Sequence, residues 1–271
     1  MEHLLSAWNE IAEQLKKASH ILLLSDYDGT LTPIVARPEL AELPEYSRHL
    51  LQALANSNNI TMGIISGRAL ADLKDRVGVE GLIYAGNHGL EIEGPDLRFT
   101  NPRAKEVKPL FCLMGKVLNK SLGTIKGVFV EDKGLTLSVH YRQVDEDKIE
   151  ELKDTFERVV SGAQTLGKIK VTPGKKVYEV KPAVDWDKGK AVKLLMKRFG
   201  RGGRASGLMP IYIGDDFADE DGFKAIERYG SGFSVFVGDG SQPSNARYFL
   251  NSPDEVALFL SKLLEHRSGT V

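Results

Sequence analysis

Short, unbroken apolar runs punctuate the first third of the chain, and each is followed by a segment of helical period. "HILLLSDYD", from His20, reads as a buried strand, and residues from about Pro44 to Asn56 as a helix. "ITMGIIS" is a second strand, "RALADLKDRVG" a helix stopped by glycine, and "GLIYAGNHG" a third strand leading into the hairpin-like "LEIEGPDLRFT". Continuous rather than alternating apolar strands, separated by helices, predict a parallel sheet covered on both faces. The pattern returns near the C-terminus: helix "DKGKAVKLLMKRFG", strand "MPIYIGDD", helix "FADEDGFKAIERYG", strand "GFSVFVG" and a last helix "SPDEVALFLSKLLEHR". At the N-terminus, Leu4, Leu5, Trp8, Ile11, Ala12 and Leu15 form one stripe of an amphipathic helix.

The middle of the chain has another rhythm. A helix from about Ala104 precedes "GVFVEDKGLTLSVHYR", two strands around the turn "EDKG". The helix "DEDKIEELKDTFERVV" follows, then "IKVTPGKKVYEVKP", a second hairpin around "PGKK". Paired hairpins with helices between them predict an antiparallel sheet with helices on one face. The simplest account is an α/β fold: a Rossmann-like parallel-sheet core, residues 1–103 and 182–271, with an inserted α+β cap domain at 104–181. Proline marks both hinges, near Asn101–Arg103 and Lys181–Val184.

Composition narrows the classes of function. A net charge of −1 provides no broad field for nucleic acid or membrane. Cys112 is the only cysteine, which excludes an intrachain disulfide and fits a reducing, cytoplasmic setting. The N-terminus is charged throughout and lacks a signal-peptide core, and no run approaches the ~20 apolar residues of a membrane helix. No obligate protein partner is evident.

The candidate chemistry lies where the strands end. In an open parallel sheet, ligands bind at the carboxyl ends of the strands. "DYDGT" (Asp26–Thr30), "SGR" (Ser66–Arg68), "GNHG" (Gly86–Gly89) and "GDDFADED" (Gly214–Asp221) all fall there, and Lys188 opens the helix after the inserted segment. Taken singly, each has a plainer explanation: a turn, a solvated helix start, a surface lysine. Taken together, Asp26, Asp28, Asp215 and Asp219 bring like charges to one edge. Their repulsion suits a hard divalent cation such as Mg²⁺. The Ser66 hydroxyl, the Gly67 amide, Lys188 and helix N-termini are donors suited to a phosphate. Metal, phosphate and a carboxylate nucleophile together point to phosphoryl transfer through an aspartyl-phosphate. Asn87 precedes the point where a substrate would enter, whereas a histidine at position 88 is more often structural.

Asp26-Tyr27-Asp28-Gly29-Thr30, Ser66, Lys188 and Gly214-Asp215-Asp216 match the four motifs of the haloacid dehalogenase superfamily of phosphohydrolases. Through "SDYDGTLTPI", "ISGR", "GNHGLEI", "EDKGLTLSVHYR", "PGKKVYEVKP", "DWDKGKAV" and "IGDDFADED", the chain resembles the trehalose-6-phosphate phosphatases within it. The resemblance implies Mg²⁺-dependent hydrolysis of trehalose 6-phosphate, the last step of trehalose biosynthesis. It makes Asp26 the nucleophile and Asp28 the acid and base. It assigns the metal to the Asp26 side chain, the Asp28 carbonyl and Asp215, with Asp216 or Asp219 reaching it through water. It gives Ser66 and Lys188 to the phosphoryl oxygens and turns Arg68 towards the sugar. Thr30 would cap or orient its loop.

The resemblance also implies that the inserted domain supplies specificity. A disaccharide offers many hydroxyls, which call for carboxylate acceptors and cationic donors. The first hairpin offers Glu131, Lys133, His140 and Arg142, and the second Lys176, Glu179 and Lys181. The resemblance favours Glu131, Lys133, Lys176 and Glu179. Alternatives are a phosphatase for sucrose phosphate or mannosyl-phosphoglycerate, a phosphotransferase, and a non-catalytic phosphosugar sensor. The intact Asp26 and Asp28 pair argues against the sensor.

Overall fold

The computed structural model describes residues 1–35, 37–174, 176–200 and 207–268. Internal packing divides the chain into two units, Met1–Arg98 with Trp186–Val271, and Phe99–Asp185.

In the first unit the elements follow in the order β1 (Glu2–His3), α1 (Trp8–Lys17), β2 (His20–Ser25), α2 (Glu45–Ala55), β3 (Ile60–Ile65), α3 (Leu70–Val77), β4 (Ile83–Gly86) and β5 (Glu91–Gly94), with β6 (Leu97–Thr100) running across the boundary. The second unit carries α4 (Pro102–Leu122), β7 (Phe129–Asp132), β8 (Leu137–His140), α5 (Ile149–Thr165), β9 (Ile169–Gly174) and β10 (Val177–Pro182). The chain then returns with α6 (Lys188–Phe199), β11 (Leu208–Gly214), α7 (Glu220–Tyr229), β12 (Phe233–Val237), β13 (Tyr248–Leu250) and α8 (Pro253–Ser268).

The large sheet runs β1-β13-β12-β11-β2-β3-β4-β5-β6. From β1 to β4 it is parallel, and β5 turns back antiparallel to β4. Every residue of β2 and β11 is buried, which accounts for their continuous apolar sequence. Helices cover one face through Leu15, Leu51, Val256 and Phe259, packed with Leu23, Ile211 and Val235. Strand order reverses between β2 and β11: the chain proceeds from β2 to β3 on one side and later fills the other from β11. That switch point is where an open α/β sheet leaves a crevice for a ligand.

The N-terminal expectation needs correction. Glu2 and His3 are an edge strand paired with Tyr248 and Phe249, and the helix begins only at Trp8. The backbone groups at the edge of β13 find partners in this way; the Leu4 N–H donates to the Phe249 carbonyl at 3.0 Å.

In the second unit, an antiparallel sheet of order β7-β8-β10-β9 packs one face on α4 and α5. Val130, Leu137, Val139 and Val180 meet Phe111, Leu118, Phe156 and Val160. Asn101 caps α4, its Oδ1 accepting from the Ala104 N–H at 3.2 Å, and Pro102 occupies the first turn. Period-2 alternation puts Glu131, Ser138 and Glu179 in cross-strand register on the other face. Lys175, in the stretch "PGKK" read as the second turn, lies outside the described residues.

Candidate active site

Asp26 follows β2 directly and Asp215 follows β11. Because Ser25 pairs with Ile213, the two loops leave the sheet side by side. The Asp26 N–H still donates to the Ile213 carbonyl at 2.8 Å. Gly29 turns the first loop back at φ 80°, and a β-carbon there would lie 2.0 Å from Asp215 Oδ2. Only glycine tolerates both the conformation and the approach. Thr30, fully buried, donates its hydroxyl to Asp215 Oδ1 at 3.2 Å, so it orients Asp215.

Lys188 is the first residue of α6, where a cation opposes the helix dipole. Asp187 caps that helix by accepting from the Lys190 N–H at 2.8 Å. Buried Lys188 is held by carboxylates: Nζ lies 2.7 Å from Asp219 Oδ1, 3.1 Å from Asp26 Oδ1 and 4.0 Å from Asp216 Oδ1. Burial alone would lower its pKa, but Asp219, Asp26 and Asp216 raise it. Oxygens of Asp26, Asp216 and Asp219 lie within 4.8 Å of one another, a spacing a metal could use. In this structure the Lys188 ammonium stands among them.

Asp219 is wholly buried. Its Oδ1 accepts from Lys188 and from the Tyr212 hydroxyl at 2.5 Å, and its Oδ2 accepts from the Asp215 and Asp216 N–H groups at 3.1 Å. Burial alone would raise its pKa; Lys188 and these hydrogen bonds hold it below the ordinary value. Both Asp219 oxygens are engaged within the protein. Asp216 Oδ1 accepts from the Ala218 and Asp219 N–H groups at 2.9 and 3.2 Å, while its side chain stays 56% exposed.

The remaining carboxylates carry excess negative charge. Burial raises the Asp26 pKa well above normal; Lys188 opposes the shift, and Asp219, Asp216 and Asp215 add to it. Asp215 is pushed up to about 7 by burial and by Asp219 and Asp216. Asp216, more exposed, reaches about 6, chiefly from burial. One lysine does not neutralise this group. A hard divalent cation fits it: the donors are oxygens, and the candidate metal group among the described residues contains no histidine or cysteine.

Ser66 follows β3 directly beside this edge and is buried. Its Oγ accepts from the Arg68 N–H at 3.1 Å, and a hydroxyl that accepts there has its own proton to donate. Arg68 departs from expectation. Its side chain is 7% exposed, and its Nε and Nη2 donate to Asp28 Oδ2 and Oδ1 at 2.7 and 2.6 Å. Nη1 donates to Asp72 at 2.9 Å, and Nη2 also to the Pro38 carbonyl at 2.7 Å. The guanidinium therefore clamps Asp28 rather than presenting itself to a sugar. Asn87 is likewise buried, its amide donating to Glu91 at 3.4 Å.

A separate polar cluster occupies the second unit. Glu131 accepts from His140 at 2.9 Å and lies 3.6 Å from the Lys133 ammonium. Lys133 is 4.0 Å and Lys181 3.5 Å from Glu179, which accepts from the Ser138 hydroxyl at 2.7 Å. Burial alone would raise the Glu179 pKa; Lys133, Lys181 and Ser138 hold it below normal. Ser138 and Phe129, whose ring stacks on His140 at 5.7 Å, escaped the sequence analysis. Two expected members stand apart: Lys176 sits exposed in the hairpin turn at φ 61°, and Arg142 is exposed beyond the end of β8.

The family described as trehalose-phosphatase matches residues 24–254. Probable trehalose-phosphate phosphatase 4 of Oryza sativa subsp. japonica is 36% identical over 267 residues, 96% of this chain and 70% of that protein. Trehalose-phosphate phosphatase B of Arabidopsis thaliana is 34% identical over 276 residues, 98% and 72% of the two. Among solved structures, Aspergillus fumigatus trehalose-6-phosphate phosphatase superposes with TM-score 0.64 at 28% identity, over 95% of this chain and 97% of that one.

Proposed function

The chain belongs to the trehalose-phosphatase family, and from that premise we propose that it hydrolyses trehalose 6-phosphate to trehalose and phosphate through an aspartyl-phosphate on Asp26. The observation that carries the reading is the placement of Asp26. It is buried at the switch point 3.1 Å from the Lys188 ammonium, beside an Asp215 anchored by Thr30.

Asp26 Oδ attacks phosphorus as the P–O bond to the sugar breaks. Lys188 holds a phosphoryl oxygen while Ser66 and the Gly67 N–H hold others. Asp28 gives a proton to the departing sugar oxygen and takes one from the water that then attacks the phosphoryl group, releasing phosphate and restoring Asp26. Both Asp28 oxygens are engaged by Arg68, so proton transfer requires one arm of that fork to release. The Asp26 side chain, the Asp28 carbonyl and Asp215 would hold Mg²⁺, which when bound offsets charge on the phosphoryl oxygens. On the four-stranded sheet, Glu131, Glu179, Lys133 and Lys181 provide acceptors and donors for sugar hydroxyls.

Acid quenching during turnover tests the intermediate. The peptide containing Asp26 should carry a phosphoryl mass increment, which Asp26→Asn removes. Steady turnover with no labelled peptide at any quench time, together with activity in Asp26→Asn, would overturn the intermediate.

A further inference from the structure

The turn after β4 is not used by this mechanism. Asn87, His88 and Gly89 follow one another in the left-handed region, at φ 51°, 58° and 83°. Glycine is at ease there, and asparagine and histidine are among the few other residues that adopt it; three in succession is unusual. Backbone of this kind persists where its surroundings hold it, and it gathers at functional sites.

The surroundings are the phosphate-holding elements themselves. The His88 N–H donates to the Ser66 carbonyl at 2.8 Å, and the Asn87 N–H to the Arg68 carbonyl at 2.8 Å. On the other side, a β-carbon on Gly89 would lie 2.3 Å from Ala191 Cβ, in the first turn of the helix that Lys188 opens. The turn is wedged between Ser66–Arg68 and α6. Its half-buried imidazole lies on Gly67, where a β-carbon would come 2.9 Å from His88 Cε1 and 3.1 Å from Nε2. Gly67 thus leaves the space that the ring fills. A turn needing shape alone would be made with least strain by glycine. Histidine adds a ring nitrogen beside the amide assigned to the phosphate.

We propose that His88 contacts the phosphoryl group of the substrate, its Nε2–H donating to a non-bridging oxygen that the Gly67 N–H also holds. This rests on the phosphatase reading and adds a residue to it.

The test compares wild type, His88→Asn and His88→Ala, with trehalose 6-phosphate and 4-nitrophenyl phosphate as substrates. Inorganic phosphate serves as inhibitor and, in calorimetry, as ligand. Both substrates share the phosphoryl group. Loss of one charge-assisted hydrogen bond should lower kcat/KM roughly ten-fold on both and weaken phosphate binding roughly ten-fold. Asparagine suits the turn, so His88→Asn should melt no lower than wild type, which keeps the test informative should His88→Ala fold poorly. Phosphate affinity within about two-fold of wild type, with both substrates unaffected, would reduce the ring to a space filler. Loss on trehalose 6-phosphate alone would place it on the sugar; either outcome overturns the proposal. Calorimetry needs no turnover, so a wild type that releases no phosphate would sink the phosphatase reading while His88 is still judged by phosphate binding.

Discussion

The Arg68 guanidinium grips Asp28 with two arms, Nε to Oδ2 at 2.7 Å and Nη2 to Oδ1 at 2.6 Å, while its third nitrogen reaches Asp72. A fork of this kind fixes both the position and the plane of a carboxylate. Burial opposes the charge on Arg68, but Asp28 and Asp72 more than offset this and raise its pKa.

Lysine cannot reproduce the fork, so Arg68→Lys should leave Asp28 charged but loosely aimed. The variant should lose roughly 1–3 kcal/mol of stability, since Asp28 and Asp72 each lose a donor. Its kcat/KM on trehalose 6-phosphate should fall more than on 4-nitrophenyl phosphate, because an aryl leaving group needs less help from an acid. Equal losses on both substrates would make Arg68 a structural brace.

The carboxylate group predicts an unusual pH response for the metal-free protein. Asp26, Asp215 and Asp216 have folded pKa values raised above their unfolded ones, Asp215 to about 7 and Asp216 to about 6. In that window the native state binds more protons than the unfolded state, so stability falls as pH rises. The contribution is full below the unfolded pKa, near pH 4, and is lost as pH passes through about 6 and 7. With chelator present, Tm should drop between pH 5 and pH 8 by roughly 2–4 °C for each kcal/mol lost. Added Mg²⁺ should raise Tm more at pH 8 than at pH 5. A chelated protein whose Tm is flat or rises across that range would contradict the charge account.

The polar cluster on the second unit should act on the sugar alone. Glu131→Ala or Glu179→Ala removes a charge-assisted acceptor, and each should lower kcat/KM on trehalose 6-phosphate by roughly 10- to 150-fold. Hydrolysis of 4-nitrophenyl phosphate, which has no sugar to recognise, should change little. Parallel losses on both substrates would assign these residues to folding or hinge motion.

Sequence legibility followed locality. β2 and β11 were visible because strands buried on both faces leave unbroken apolar runs, and Asp26 and Asp215 could be paired because each ends such a run. β1 and β13 were not, since strands of two and three residues carry no period to detect. The Arg68–Asp28 fork joins residues 40 apart in sequence and depends on how two loops pack. Tyr212 looked like one more apolar residue of its strand; only the fold brings its hydroxyl to Asp219. Lys176 and Arg142 lie just outside β10 and β8, where no strand period says which way a side chain faces.

The most direct measurement is phosphate release from a panel of sugar phosphates, by wild type and Asp26→Asn, with Mg²⁺ and then with it chelated. The panel includes trehalose 6-phosphate, sucrose 6-phosphate, mannosyl-phosphoglycerate and glucose 6-phosphate. Trehalose 6-phosphate should have the highest kcat/KM by at least about ten-fold, a margin one or two selective sugar contacts supply. Chelation should abolish release and added Mg²⁺ restore it, and Asp26→Asn should be folded and inactive. Faster release from another sugar phosphate, full activity after chelation, or substantial turnover by Asp26→Asn would contradict the account.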